Sequence, residues 1–418
     1  MKKYSLLILG LTCTLLVQGQ TVCPLTYSHY LTRVVEGNLG YASQKLNVSA
    51  VKADVVAAKV FNDPQLSFEY ANNQDRTLQM GQSYEVGLTQ TLSLGKRGAV
   101  IRLKQSESEW TEALLEDYFR HLRADATVAY YEVLMKKQLL AVKRDAYRSM
   151  HDLAVSDSLR LLTGKIMEVE AAQSRLEAGI MYNEVLQAET ELKNGYAALD
   201  MMMGRMSNDT VFVPEGELKA TERFFSLDEL MTHAIAYRSD LVVAQKNTEV
   251  AYRGVIATRR ERMPDVDLSV ALGHNNQVRN MEAPAPKFNS VTVGVAFPLK
   301  FSALNHGAVR AAKFRALQAE TDYQQARLQV RTEVMKAYYQ FQSLFKQLKH
   351  FKSGLLEQAK EVLKGEIYSY NRGEIALLDV LNAQRTFDDV RAQYIETLYQ
   401  YHVALVELEF TSGIWDIE

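Results

Sequence analysis

Four short stretches of the chain place apolar residues at every second position. Leu66, Phe68 and Tyr70 alternate with Ser67 and Glu69, and Tyr84, Val86 and Leu88 alternate with Glu85, Gly87 and Thr89. In the second half Val266, Leu268, Val270 and Leu272 alternate with Asp267, Ser269, Ala271 and Gly273, and Val291, Val293, Val295 and Phe297 alternate with Thr292, Gly294 and Ala296. A period of two predicts β-strands with one apolar face and one polar or small face. Each run approaches the roughly 9–11 residues with which a tilted strand crosses a bilayer. The connections inside each pair, NNQDRTLQMGQ and NNQVRNMEAPAPKFN, are polar and read as outward loops.

Elsewhere the pattern changes to helical spacing. From Ala99 to Lys165 the only glycine is Gly164, and no proline occurs between Pro64 and Pro214. A helix over Ala99 to Thr163 would be roughly 100 Å long at 1.5 Å per residue, which predicts an elongated molecule. Two apolar seams run along it. Leu114, Tyr118, Leu122, Ala126, Ala129, Val133 and Leu140 form one, and Tyr131, Met135, Leu139, Val142, Ala146, Met150 and Leu153 form the other. Steps of three and four are coiled-coil spacing, and two seams on one helix predict neighbours on both sides.

The two halves repeat one plan. GLTQTLSLGKRGAVIR (87–102) returns as GVAFPLKFSALNHGAVR (294–310), with the GAV at Gly98 returning at Gly307, and Ala129-Tyr130-Tyr131 returns as Ala337-Tyr338-Tyr339, at offsets of 209 and 208. The expected organisation is a signal peptide over 1–20, a first repeat over 21–206, a linker over 207–225 and a second repeat over 226–418. The first repeat holds strands about 64–72 and 83–93, a long helix about 98–163 and a helix about 167–203. The second holds strands about 264–274 and 290–299, a long helix about 304–371 and a helix about 376–411.

Four strands cannot close a membrane barrel, and an open edge in lipid leaves backbone groups unpaired. If the strands lie in a membrane, several copies must pool them, and the helices leaving the same ends would gather into a tube. The repeated GAV stretch is then the point where a membrane strand becomes a tunnel helix. The expected lipid-facing residues are Leu66, Phe68, Tyr70, Val86, Leu88, Val266, Leu268, Val270, Val291, Val293 and Val295.

The N-terminus runs from Lys2 and Lys3 into apolar residues from Leu6 to Val17, then Gln18, Gly19 and Gln20, as a secretory signal peptide does. That leaves Cys23 as the one mature cysteine. Val22 stands immediately before it, where a lipoprotein signal has a small residue, so Cys23 reads as an inert thiol rather than a lipid anchor. The 48 basic and 50 acidic residues are interspersed and the net charge is −2, which gives no basis for a nucleic-acid partner. GKRG at Gly95 lacks the surroundings of a phosphate loop. The eight histidines form no HExxH, and no triad is visible in the spacing. No enzyme activity, cofactor or bound metal is expected.

NDPQLSFEY (62–70), QTLSLGKR (90–97) and YNRGEIALLDVLNAQ (370–384), set in the duplicated plan, resemble the TolC family of outer-membrane efflux proteins. The first two look most like the branch serving heavy-metal (cobalt, zinc, cadmium, copper) resistance pumps. The resemblance covers nearly the whole mature chain. It implies a mainly α fold with a membrane β-barrel part, in which a homotrimer pools twelve strands and continues into a periplasmic helical tunnel. It also implies a periplasmic adaptor, an inner-membrane transporter of the RND type, and residence in outer-membrane lipid. The family's entrance gate maps onto Tyr370 and Asp379, with Asn382 in place of a second aspartate and Ile375 in place of an arginine. Arg372 and Arg385 are the candidates to replace that arginine. Adaptor docking in the family maps onto two hairpin tips, Leu161, Thr163, Gly164 and Ile166, and Asn371, Gly373, Glu374 and Ile375. The implied function is the exit duct of a tripartite efflux pump. A type I secretion outlet and a soluble periplasmic coiled-coil scaffold are the alternatives.

Overall fold

The computed structural model describes residues 21–72, 79–206, 210–299 and 306–415, so the expected signal peptide lies outside the described residues. The chain divides into two compact units.

One unit comprises residues 40–122, 224–338 and 408–418. Its centre is a sheet of β2 (Gln65–Asn72), β3 (Gln82–Leu92), β5 (Val266–Asn275) and β6 (Phe288–Ala296), in the order β2-β3-β5-β6 with every neighbour antiparallel. The register puts the apolar residues in rows across all four strands. Phe68 pairs with Val86, Val86 with Leu272 and Leu272 with Val291, and the next row runs Leu66, Leu88, Val270, Val293. Because side chains alternate, the other face is built from rows such as Ser67, Gly87, Ala271, Thr292 and Glu69, Glu85, Gly273, Ser290. No described residue of the unit covers the apolar face: Leu66, Phe68 and Val293 are 76%, 70% and 73% exposed. Glu69 stands directly opposite Glu85, a pairing of like charges that requires water on that side. The sheet is therefore apolar on one face and wet on the other, and its edge strands β2 and β6 each have one neighbour.

Each strand pair is preceded by two helices that strand and seam patterns did not reveal. α1 (Tyr27–Gly37) and α2 (Leu39–Ala57) precede β2, and α5 (Leu227–Tyr237) and α6 (Ser239–Arg260) precede β5. In both pairs one extended residue, Asn38 or Arg238, breaks the helix at the same place, so the duplication reaches further toward the N-terminus than the strands. Within this unit α6 meets α7 (His306–His350) through Ala251, Val255, Ala312 and Ala316, small residues that permit close approach. Arg238 is buried and donates to Asp240 and Glu333, which compensates its charge.

The second unit comprises residues up to 39, 123–223 and 339–407. Helix α3 (Arg97–Leu162) contributes its later part, followed by α4 (Glu168–Met202), the end of α7, α8 (Leu356–Asn371) and most of α9 (Leu377–Ser412). A parallel pair, β1 (Thr21–Leu25) with β4 (Thr210–Pro214), closes one side. β4 lies inside the stretch expected as a linker over 207–225, because TVFVP carries the β-branched alternation that pairs with an available strand. The hydroxyl of Tyr130 lies 2.9 Å from the Leu25 carbonyl and 2.7 Å from that of Glu215, which anchors this pair to α3.

In place of one helix over about 304–371 there are two, α7 and α8, joined by a π-helical turn at Phe351–Leu355 where Gly354 has φ 129°. Only glycine takes that conformation without strain. Residues 304 and 305 lie outside the described residues. No helix among the described residues is long and apolar enough to cross a membrane.

Candidate gate and docking tips

Two hairpins end the second unit, one between α3 and α4 and one between α8 and α9. Each turns on a glycine in the left-handed region, Gly164 at φ 67° and Gly373 at φ 77°. In the first, the Gly164 amide donates to the Leu161 carbonyl at 2.9 Å and the Lys165 amide to that of Arg160 at 2.9 Å. In the second, the Gly373 amide donates to the Tyr370 carbonyl at 2.9 Å and the Glu374 amide to that of Ser369 at 3.0 Å. The incoming helices start alike as well. Glu170 accepts from the Met167 amide at 3.1 Å, and Asp379 accepts from the Ala376 amide at 3.3 Å.

A buried contact near the turns ties the two hairpins. The Tyr370 hydroxyl, at the end of α8, donates to Oδ1 of Asp157 on α3 at 3.0 Å. Arg160, one turn further along α3, places Nη1 3.6 Å from the same oxygen. Its Nη2 lies 3.4 Å from the Tyr370 carbonyl, and its guanidinium sits 4.8 Å over the Tyr370 ring. Asp157 is fully buried and Tyr370 nearly so. The tyrosine ring packs with Ala146, Met150, Ala178, Met181, Leu377, Val380 and Leu381. Burial pushes the Asp157 carboxyl above its ordinary value, with hydrogen bonds from Tyr370 and Ser174 and the Arg160 charge opposing. The Tyr370 hydroxyl is raised too, by burial first and then by the adjacent carboxylate.

The other gate candidates stand apart from this contact. Arg372 bonds within its own turn, to Glu374 at 2.8 Å and to the Tyr368 hydroxyl at 3.2 Å. Arg385 reaches Glu177 on α4, at 2.8 and 3.2 Å. Arg160 is therefore the arginine beside Tyr370. Asp379 and Asn382 share an exposed face of α9, one turn apart. Of the tip residues, Thr163, Gly164, Asn371, Gly373 and Glu374 are exposed and Leu161 and Ile166 half-buried, while Ile375 packs against the hydrophobic cluster around Tyr370. The most exposed apolar groups of the first tip are Leu162, at 83%, and its neighbours Met167 and Val169.

Sequence reading missed Asp157, though it left a trace. The second seam of the long helix steps through Ala146, Met150 and Leu153, and its next position, four residues on, is Asp157. A carboxylate on a core seam needs a partner, and Tyr370 supplies it. A second buried polar chain joins α3 to α9: Gln384 donates to Asp388 at 2.8 Å, and Ser149 lies 3.4 Å from Gln384. Among the described residues, no three His, Cys, Asp or Glu side chains are grouped to hold a metal ion.

The family model described as "Outer membrane efflux protein" matches residues 230–413. The cobalt-zinc-cadmium resistance protein CzcC of Cupriavidus metallidurans is 24% identical over 394 residues, covering 93% of this chain and 90% of that protein. The outer membrane protein TolC of Vibrio cholerae is 22% identical over 291 residues, 68% of this chain and 66% of that protein. Among solved structures, the Campylobacter jejuni CmeC outer membrane channel superposes with a TM-score of 0.77 at 16% identity, covering 94% of this chain and 86% of that one.

Proposed function

Because the chain belongs to the TolC family of outer membrane efflux proteins, we propose that it is the outer-membrane exit duct of a tripartite efflux pump. The protein is a channel protein of the outer membrane that extends into the periplasm and works with a periplasmic adaptor and an inner-membrane transporter. Its fold is TolC-like, mainly helical with a β-barrel part. The observation that carries the reading is the four-stranded sheet, apolar on one face, wet on the other and open at both edges. Such a sheet is stable in lipid only when copies complete the ring. Three copies pool twelve strands, and the row of Glu69 and Glu85 then faces an aqueous lumen.

On the finer points, the inner-membrane partner is an RND transporter and the cargo includes divalent metal ions, as the name of CzcC supports. The gate is the Tyr370–Asp157 contact with Arg160 beside it, and Asp379 and Asn382 line the approach to it. Adaptor contact uses the hairpin tips, with Leu162, Met167 and Val169 as the apolar group of the first. The domain plan is a signal peptide over 1–20 and two repeats, with the joint near 207–225.

Fractionation of the native protein followed by chemical crosslinking in mild detergent tests the reading. A trimer in the outer-membrane fraction is expected, and a soluble periplasmic monomer would overturn it. At residue level, Phe68→Lys places a charge on the lipid face, where a lysine costs about 2–4 kcal/mol near the bilayer centre. The variant is expected to lose most of its heat-dissociable trimer on unheated gels, and trimer yield equal to wild type would remove Phe68 from the lipid face.

A further inference from the structure

The rim where the strands give way to the helices is built unlike the rest of the sheet. α2 ends at Ala57, and Lys59, Val60 and Phe61 lead into β2, while β3 ends at Leu92 and α3 starts at Arg97. Between them lies a groove of about 560 Å³ lined by Val60, Phe61, Leu94, Ile101, Lys96 and Arg97. Val60, Phe61 and Leu94 are all more than half exposed. The rim is held rather than loose. The Arg97 guanidinium lies 3.8 Å over the Phe61 ring and donates to the Lys59 carbonyl, and Lys96 pairs with Asp265 at 2.7 Å. That pair brings the start of β5 to the same rim, with Arg259 and Arg260 closing α6 beside it. A Cβ on Gly95 would stand 3.8 Å from Nη1 of Arg260, so this guanidinium lies at the turn that opens the groove.

Cations outnumber acids here. Lys59, Lys96, Arg97, Arg259, Arg260 and Arg262 stand against Asp63, Glu261, Asp265 and Asp267, in a chain whose net charge is −2. Lys59, Arg259 and Arg260 are exposed. Val86, Leu88 and Leu92 share one face of β3, broken by Gln90, whose amide donates to the Asn62 carbonyl, and the strand leads on to Leu94 and the groove. An apolar track that ends in a cluster of cations suits a molecule with acyl chains and an anionic head.

We propose that this rim binds the anionic headgroup of a glycerophospholipid in the periplasmic leaflet, with the phosphate among Lys59, Arg259 and Arg260 and the acyl chains along the apolar face of β3. The proposal rests on the outer-membrane reading above. A zwitterionic headgroup gains less, because its own cation faces the same positive cluster. A polybasic contact of this kind is worth about five-fold in affinity per cation near an anionic surface. Arg97 and Lys96 hold the rim together, whereas the three exposed cations are free to be neutralised without loss of a buried contact.

The test reconstitutes the full chain in nanodiscs of phosphatidylcholine doped with phosphatidylglycerol, and reads the lipids retained on the protein by native mass spectrometry. Heat-dissociable trimer is scored on the same samples. Wild type is expected to retain phosphatidylglycerol preferentially, and Lys59→Gln/Arg259→Gln/Arg260→Gln to reduce that preference at least about ten-fold while still forming trimer. Equal retention of the two lipids by inserted wild-type trimer overturns the lipid site and leaves the channel reading intact. So does a preference that survives in the triple variant. Failure of wild type to insert as a trimer at all overturns the channel reading, and the lipid site falls with it.

Discussion

Tyr370→Phe is expected to raise time-averaged channel conductance in planar bilayers at least about five-fold over wild type. The substitution keeps the ring, and with it the packing against Met150, Leu377 and Leu381, and removes the hydroxyl that joins Tyr370 to Asp157 across the two hairpins. Asp157 is then left fully buried without that donor, at a cost of about 1–3 kcal/mol or more for a charged group. Opening exposes the carboxylate to water and relieves that cost. At 1.4 kcal/mol per factor of ten, the open population grows by roughly five-fold to a hundred-fold. Asp157→Asn retains an acceptor of the same size and is expected to conduct more like wild type than Asp157→Ala. The pH response has a definite sign. The Asp157 carboxyl is raised in the closed, buried state, so its contribution to closure is complete below the ordinary carboxylate value and declines as pH rises through the raised value. Acidification from neutral pH is therefore expected to tighten the proposed gate through this residue. Unchanged conductance in Tyr370→Phe, or acid-induced opening that Asp157→Asn abolishes, would remove the contact from the gate.

Acid acts in the opposite direction elsewhere in the same unit. His402 on α9 packs against Tyr131 with ring centres 4.8 Å apart and the planes tilted by 34°, and burial pushes its imidazole down to about 4, with the Lys219 carbonyl opposing. An imidazole held neutral in the native state takes up its proton more readily when unfolded. Stability is therefore complete above the ordinary value of 6.5 and falls as pH drops from there toward about 4. The loss is about 3 kcal/mol, from 1.36 kcal/mol for each unit of difference. Amide hydrogen exchange, corrected for the intrinsic rate, is expected to show peptides around Tyr131 and His402 losing protection over this window. His402→Phe is expected to keep most of it. Equal losses in both proteins would place the acid-sensitive group elsewhere.

Legibility in the sequence followed the length of the signal. The strands were readable because a period of two persists over each, and their face assignment needed no tertiary information: Phe68, Val86, Leu272 and Val291 fall in one row because each occupies the apolar phase of its own strand. The long helix α3 was readable because it holds no proline and, after Gly98, no glycine. The break between α7 and α8 was countable and not placeable. Ala129 and Ala337 are 208 apart whereas Gly164 and Gly373 are 209 apart, so the second half holds one additional residue between those landmarks. One inserted residue is what a π-helical turn accommodates. That it sits at Phe351–Leu355 depends on Gly354 alone being able to take φ 129° there, although Gly365 lies on the same stretch.

The candidate gate divides in the same way. Tyr370 and Asp379 were found by resemblance to a motif, and Asp157 was not, because its partner lies 213 residues away and no local pattern encodes that distance. Arg372 and Arg385 were plausible replacements by position. Local ion pairs with Glu374 and Glu177 hold them away from Tyr370, and Arg160 stands there instead.

By itself, then, the sequence determined what repeats and which phase of each strand is apolar: two copies of a plan, four strands with one apolar phase, and a helix too long for a compact core. These are properties of period and exclusion, set by the chain's own geometry and readable one segment at a time. Only the tertiary structure decided which polar groups are buried together. The cost of burying Asp157 is met by a hydroxyl and a guanidinium brought to it by folding, and that pairing is settled in space rather than along the chain.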